Sequence, residues 1–169
     1  MDPQDDLIKF CELHYGRLVG ILGLYCGDGD MAQELAQEAL ARVCSSWDRV
    51  RKMEHPGAWT QRVAINLANS HFRRKLTEQL AKQRLDAVTS HTSNEPDTAS
   101  AVAIRKALAA LPRRQRAVLI LHYYGDLSFT QIAGTLGMPE GTVKSLARRA
   151  VLKLRRDSGL VDFEEATNV

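Results

Sequence analysis

Residues 127–156, LSFTQIAGTLGMPEGTVKSLARRAVLKLRR, constrain the fold of this chain more than any other stretch. They read as a helix, a tight turn and a second, strongly basic helix. Ser128 followed three residues later by Gln131 is a capping box, so a helix starts there. Gly137 supplies the turn residue that closes it, and Pro139 suits the first turn of the next helix. At about 100° per residue, Val143, Ala147, Ala150 and Leu154 share one side of that second helix, flanked by Leu146 and Val151. Thr142, Lys144, Ser145, Arg148, Arg149, Lys153, Arg155 and Arg156 share the other, with Leu152 the one apolar residue among them. A basic helix face is ordinarily just solvated. Here the cap, the small Ala133, the glycine turn, an inward Val143 and the basic helix occur together. That combination places side chains in the DNA major groove.

The rest of the chain needs a partner for its charge. The sequence has 169 residues, 44% hydrophobic and 25% charged, which fits one or two small globular domains. No apolar run approaches the roughly 18 residues of a membrane span, and the acidic start MDPQDDLIKF has no signal-peptide pattern, so a cytoplasmic location is expected. The net charge of +3 conceals strong blocks: residues 1–55 carry 6 basic and 10 acidic side chains, residues 56–86 carry 6 and 2, and residues 100–156 carry 11 and 2. Residues 87–99 and 157–169 hold acidic side chains and no basic ones. Two basic blocks around an acidic spacer predict two nucleic-acid contacts on one chain. The acidic N-terminal block calls for a different partner, and the acidic tail reads as solubilising.

Residues 88–98, VTSHTSNEPDT, form the one clear linker. Helices are expected near 3–26, 29–47, 56–84, 99–110, 112–123, 128–136 and 139–156, with no period-2 strand. The expected architecture is all-α: a domain over 1–86, a flexible linker over 87–98, a helix-turn-helix domain over 99–157 and an acidic tail over 158–169. Cys11, Cys26 and Cys44 make no CxxC and no zinc spacing with a histidine, so they read as free thiols. The five histidines stand beside no candidate nucleophile. No metal, cofactor or small-molecule substrate is expected.

Two helices of the first domain carry candidate sites. Glu34 and Glu38 are four residues apart and share a face. No histidine or third carboxylate completes an acid–base or metal site, which leaves a solvated face or a protein-docking face with Gln37 between the carboxylates. In the third helix, Ala58, Ile65, Ala68 and Phe72 form one apolar stripe and Val63 and Leu67 another. Between them Arg62, Asn66, Asn69 and Arg73 line up within roughly 60° of arc, bordered by Trp59 and Ser70. Arginine, asparagine and an aromatic ring together grip phosphates, read base edges and stack on an unpaired base. Trp59 alone would as readily be a core residue.

These residues resemble a known family. ELAQEALARV (34–43), HPGAWTQRVAINLANSHFRR (55–74) and ALAALPRRQRAVLILHYYGDLSFTQIAGTLGMPEGTVKS (107–145) are similar, in that order, to the clamp-binding helix, the −10 reader and the −35 domain of bacterial sigma factors of the extracytoplasmic-function group, group IV. The resemblance runs from about residue 7 to residue 156 and implies sigma-2-like and sigma-4-like domains. It implies that Glu34, Leu35, Gln37 and Glu38 dock on the coiled coil of the largest subunit of core RNA polymerase, with the polymerase flap a further contact. It implies −10 DNA contacts from Arg51, Lys52, Trp59, Arg62, Asn66, Asn69, Arg73 and Arg74, residues 48–55 matching the loop that captures a flipped base. It implies −35 contacts from Ser128, Thr142, Lys144, Ser145, Arg148, Arg149 and Lys153. An anti-sigma factor, commonly membrane-anchored, is a further partner of the group. One departure stands out: the family usually continues GTVKS with Arg-Leu, where this chain has Leu146-Ala147, and Arg148 is the candidate replacement. Two other readings remain at this point. One is a helix-turn-helix repressor or activator with an N-terminal dimerisation domain. The other is a phosphodiester-cutting enzyme using Glu34 and Glu38.

Overall fold

The structure, a computed structural model, describes residues 3–82 and 99–158. Among the described residues all regular structure is helical. The chain divides into two compact units between Asn94 and Glu95. The expected linker and the acidic tail lie outside the described residues, apart from the tail's first residue, Ser158, which closes the last helix.

The first unit is built on a helical hairpin. Helix α1 (Pro3–Cys26) and helix α2 (Gly29–Ser45) are joined by the Gly27-Asp28 turn. Gly27 takes a left-handed φ of 73°, open to glycine at no steric cost. Asp28 then caps α2, its carboxylate accepting from the Met31 amide at 3.0 Å. The hairpin buries Leu18, Ile21, Leu22 and Tyr25 of α1 against Ala32, Ala36, Ala39 and Val43 of α2. Helix α3 (Trp47–Val50) is a single turn, and helix α4 (Pro56–Lys82) lies against both α1 and α2. Gly57 lets the first turn of α4 pass against the His14 ring, where an added Cβ would meet ring carbon Cε1 at 2.8 Å.

The second unit holds helix α5 (Ala99–Ala109), helix α6 (Arg113–Leu119), a wider π turn over Ile120–Tyr124, helix α7 (Phe129–Leu136) and helix α8 (Glu140–Ser158). Leu111 and Leu119 pack on Ala150, Val151 and Leu154 of α8, with Ala107 and Leu108 of α5 against them. The Arg116 guanidinium donates to the carbonyls of Ala109 and Leu111 at 2.8 and 3.2 Å, closing the C-terminal end of α5.

Two elements differ from the sequence expectation. The helix expected over 29–47 stops at Ser45, and Trp47 begins a new turn. The helix expected over 112–123 widens after Leu119, where the Gly125 amide donates to the Ile120 carbonyl at 2.8 Å. Ala117 to Leu121 are all buried, so hydrophobic period carries no information on that change of pitch. Asp126 follows with φ 59°, which returns Leu127 to the core.

Candidate nucleic-acid interface

In the first unit the exposed face of α4 is set by what α4 buries. Thr60, Gln61, Ala64, Ile65, Leu67 and Ala68 face the core. Thr60 can lie there because its hydroxyl donates to the Pro56 carbonyl at 2.9 Å. The opposite side presents Arg62, Asn66 and Arg73, all exposed, with Trp59 half-buried above them. The Arg49 guanidinium lies over the Trp59 ring, 5.7 Å from its centre, a cation–π contact. Trp59, Asn66 and Val63 of α4 and Arg49, Arg42 and Glu38 line one depression of about 440 Å³.

Asn69 departs from the expected row. Its side-chain oxygen accepts from the Tyr25 hydroxyl at 2.7 Å, and Tyr25 is buried. On a helix Asn69 lies about 40° from buried Ile65 and about 20° from exposed Arg62, so it sits half-buried at the edge of the row, with its side-chain oxygen turned to Tyr25. Arg73 donates to the Ser70 hydroxyl at 3.0 Å. Arg74 is exposed and lines a shallow groove with His71, Lys75 and Glu78. Arg51 pairs with Asp48 at 3.5 Å, and Lys52 is exposed beside it. The 48–55 segment therefore starts as a helical turn and then loosens into bends.

On α2, Glu34, Gln37 and Glu38 are exposed together. Leu35 is corrected: it is 5% exposed and belongs to the core, because its position turns it about 100° away from Glu34. Glu38 pairs with Arg42 at 2.7 Å, both side chains about half exposed, so the pair is weak and can exchange for an outside partner.

In the second unit the capping box is present in full. The Ser128 hydroxyl accepts from the Gln131 amide at 3.2 Å and the Gln131 side chain accepts from the Ser128 amide at 2.9 Å. Gly137 closes α7 with φ 64°. A contact the sequence reading missed braces the two helices: the Thr130 hydroxyl donates to the Glu140 carboxylate at 2.8 Å, and Lys144 pairs with the same carboxylate at 3.1 Å. The Thr130 hydroxyl first, then Lys144, hold the Glu140 carboxyl below the usual carboxylate range. An acidic residue in the first turn after Pro139 was the signal available for it.

The basic face of α8 splits in two. Thr142 and Arg149 are exposed on one side, with the Arg149 Nε donating to the Ser145 carbonyl at 3.3 Å, and exposed Ser145 stands at the border of the two sides. Lys144, Arg148 and Arg155 lie on the other, beside Tyr123, Phe129 and exposed Leu152, around a groove of about 410 Å³. Burial raises the Tyr123 hydroxyl above its usual range, against the pull of Arg155. Lys153 is half-buried, and its ammonium donates to the Ala110 carbonyl at 2.9 Å, just past the end of α5 in its own unit. Among the described residues, no group of three or more His, Cys, Asp or Glu is gathered for a metal ion, and no helix is long and apolar enough to cross a membrane.

Comparison with known proteins separates the two units in the same way. The family described as sigma-70 region 2 matches residues 10–77, and the family described as sigma-70, region 4 matches residues 101–154. The RNA polymerase sigma-E factor of Streptomyces avermitilis is 38% identical over 128 residues, spanning 75% of this chain and 70% of that protein. The ECF RNA polymerase sigma factor SigL of Mycobacterium tuberculosis is 34% identical over 134 residues, spanning 76% and 75%. A solved structure of the sigma factor RpoE in complex with the anti-sigma factor NepR from Bartonella quintana superposes with a TM-score of 0.76 at 23% identity, covering 89% of this chain and 95% of that one. At that identity the likeness concerns the fold.

Proposed function

Because this chain belongs to the sigma-70 family of RNA polymerase sigma factors, in its extracytoplasmic-function branch, we propose that it is a group IV alternative sigma factor working through three separate surfaces. Glu34, Gln37 and Glu38 on α2 dock on the clamp coiled coil of core RNA polymerase, and the second unit meets the flap. Arg51, Lys52, Trp59, Arg62, Asn66, Arg73 and Arg74 recognise and melt the −10 element. Thr142, Lys144, Ser145 and Arg149 contact the −35 element in the major groove, and Arg148 grips its phosphate backbone.

The observation that carries this reading is the depression where Glu38 of the docking face and Trp59 and Asn66 of the −10 face meet. Docking on core and capture of an unpaired base then occur side by side, which couples polymerase binding to melting. Base–aromatic stacking contributes about 1–3 kcal/mol per base, enough to offset part of the cost of extruding one. Two modest DNA contacts on one chain gain from effective concentration once core holds them at the promoter spacing. A dimeric helix-turn-helix regulator gives the Trp59, Arg62 and Asn66 face no role. The chain itself is not an enzyme; nucleotide chemistry belongs to the polymerase. It works in the cytoplasm, and an anti-sigma factor holds it off core by covering these faces.

The test is binding of the purified chain to core RNA polymerase, with Glu38→Lys alongside. Tight binding that the variant loses while staying folded supports the reading. A folded, monodisperse chain that does not bind core refutes it.

A further inference from the structure

Cys11 and Cys44 take no part in the surfaces above, and the hairpin brings them to one level. Gly23 of α1 stands opposite Ala32 of α2: a Cβ on Gly23 would lie 4.0 Å from that of Ala32. Cys11 is twelve residues before Gly23 and Cys44 is twelve residues after Ala32. Each interval spans about 18 Å of helix, so the two cysteines end at the same height on neighbouring helices. Cys11 also lies in heptad step with Leu18 and Tyr25, both buried, and so on the inward side of α1. Cys44 is one turn past buried Leu40. Between them the hairpin packs through Ala32, Ala36 and Ala39, all fully buried. Such small side chains let helix axes approach, which a disulfide between helices requires because its Cα atoms must come within about 7 Å. The two thiols are in contact, joined by a side-chain hydrogen bond.

We propose that Cys11 and Cys44 are an oxidisable dithiol, closed by peroxide to a disulfide that staples α1 to the end of α2. Their exposure assigns the order of events. Cys44 is exposed and meets the oxidant; Cys11 is half-buried behind it. The Cys44 thiolate attacks one peroxide oxygen, the O–O bond breaks, and the departing hydroxide takes a proton to become water. Cys44 is left as a sulfenic acid. The Cys11 sulfur then attacks the Cys44 sulfur, its proton leaving with the hydroxyl as a second water. Two thiols and one hydrogen peroxide give one disulfide and two waters, two electrons passing from sulfur to oxygen. Burial first, and then the neighbouring Cys44, push the Cys11 thiol up to about 11, so Cys11 is not the thiol that meets the oxidant first. Cys26 is fifteen residues from Cys11 on the same helix, about 22 Å away, and serves as an internal control. Cys44 lies one heptad past Gln37, so the staple fixes the end of the helix that carries the docking side chains.

The experiment treats the full chain with hydrogen peroxide, alkylates the remaining thiols and maps tryptic peptides without reduction. The expected product links the peptides spanning residues 10–17 and 43–49, leaves Cys26 alkylated, raises the melting temperature and reverts with dithiothreitol. Cys26→Ser should behave as the wild type; Cys11→Ser should leave Cys44 free for stable sulfenic or higher oxidation. A link to Cys26, Cys44-linked dimers, overoxidised Cys44 with no internal link, or a link that lowers the melting temperature would each overturn the proposal.

Discussion

Replacing Ser128 by alanine separates scaffold from DNA contact at the entrance to the helix-turn-helix. The substitution removes the hydroxyl that accepts the Gln131 amide at 3.2 Å and leaves the reciprocal bond at 2.9 Å in place. Loss of an N-cap of this kind costs about 1 kcal/mol. Helix α7 has eight residues, too few to stand alone, so the loss falls on the second unit as a whole. For a unit of roughly 60 residues, 1 kcal/mol lowers the melting temperature by about 4–8 °C. Ser128→Asp supplies another cap acceptor and suits the positive end of the helix, so it should melt within about 2 °C of the wild type. The assay is thermal melting by circular dichroism of the full chain, paired with promoter binding by reconstituted holoenzyme at a temperature where both variants are folded. A hydroxyl committed to its cap predicts lower stability and unchanged promoter affinity for Ser128→Ala. Unchanged melting with weakened binding would show that Ser128 acts on DNA, and the reasoning from the cap would fail.

Other expectations follow from the same geometry. Glu38→Lys should abolish tight core binding yet leave melting nearly unchanged, because its pair with Arg42 is half exposed; a large drop in melting temperature would refute that. Arg149→Ala should lower −35 affinity by about 1–3 kcal/mol for the preferred sequence over others if it reads a base, whereas Arg148→Ala should weaken all sequences alike and flatten the salt dependence. Equal, sequence-independent losses from both would remove Arg149 from base reading. Glu140 has its carboxyl pKa lowered by Thr130 and Lys144, so its charge stabilises the folded state above the ordinary carboxylate range and loses that effect as pH falls through the lowered value. Glu140→Gln should therefore melt below the wild type at neutral pH, and the gap should close in acid; a pH-independent gap would contradict this. Trp59→Ala should leave the chain folded and −35 binding intact while permanganate reactivity of promoter thymines falls; full melting by this variant would exclude Trp59 from base capture.

The helix-turn-helix was legible because its signals are local. Ser128, Gln131, Gly137 and Pro139 act within a few residues of themselves, and the inward stripe of Val143, Ala147, Ala150 and Leu154 follows from period alone. What stayed hidden depends on distant partners. Nothing in the neighbourhood of Asn69 announces Tyr25, 44 residues earlier, nor does the sequence around Lys153 announce the carbonyl of Ala110. Leu35 was legible as apolar, and its burial follows once α1 and α4 pack against α2. The Cys11–Cys44 contact is of the same kind, since no short-range spacing rule links residues on two helices. The pitch change after Leu119 was invisible for another reason: five successive buried side chains carry no period.

The central claim is that this chain directs core polymerase to asymmetric two-part promoters. Its most direct test is to supply core RNA polymerase with fragmented genomic DNA, with and without the chain, and to sequence the 5′ ends of the transcripts. The expected result is chain-dependent start sites that share two separated upstream sequence blocks, and no specific DNA binding by the chain without core. Start sites that do not depend on the chain, or tight binding of the free chain to a palindromic site, would contradict it.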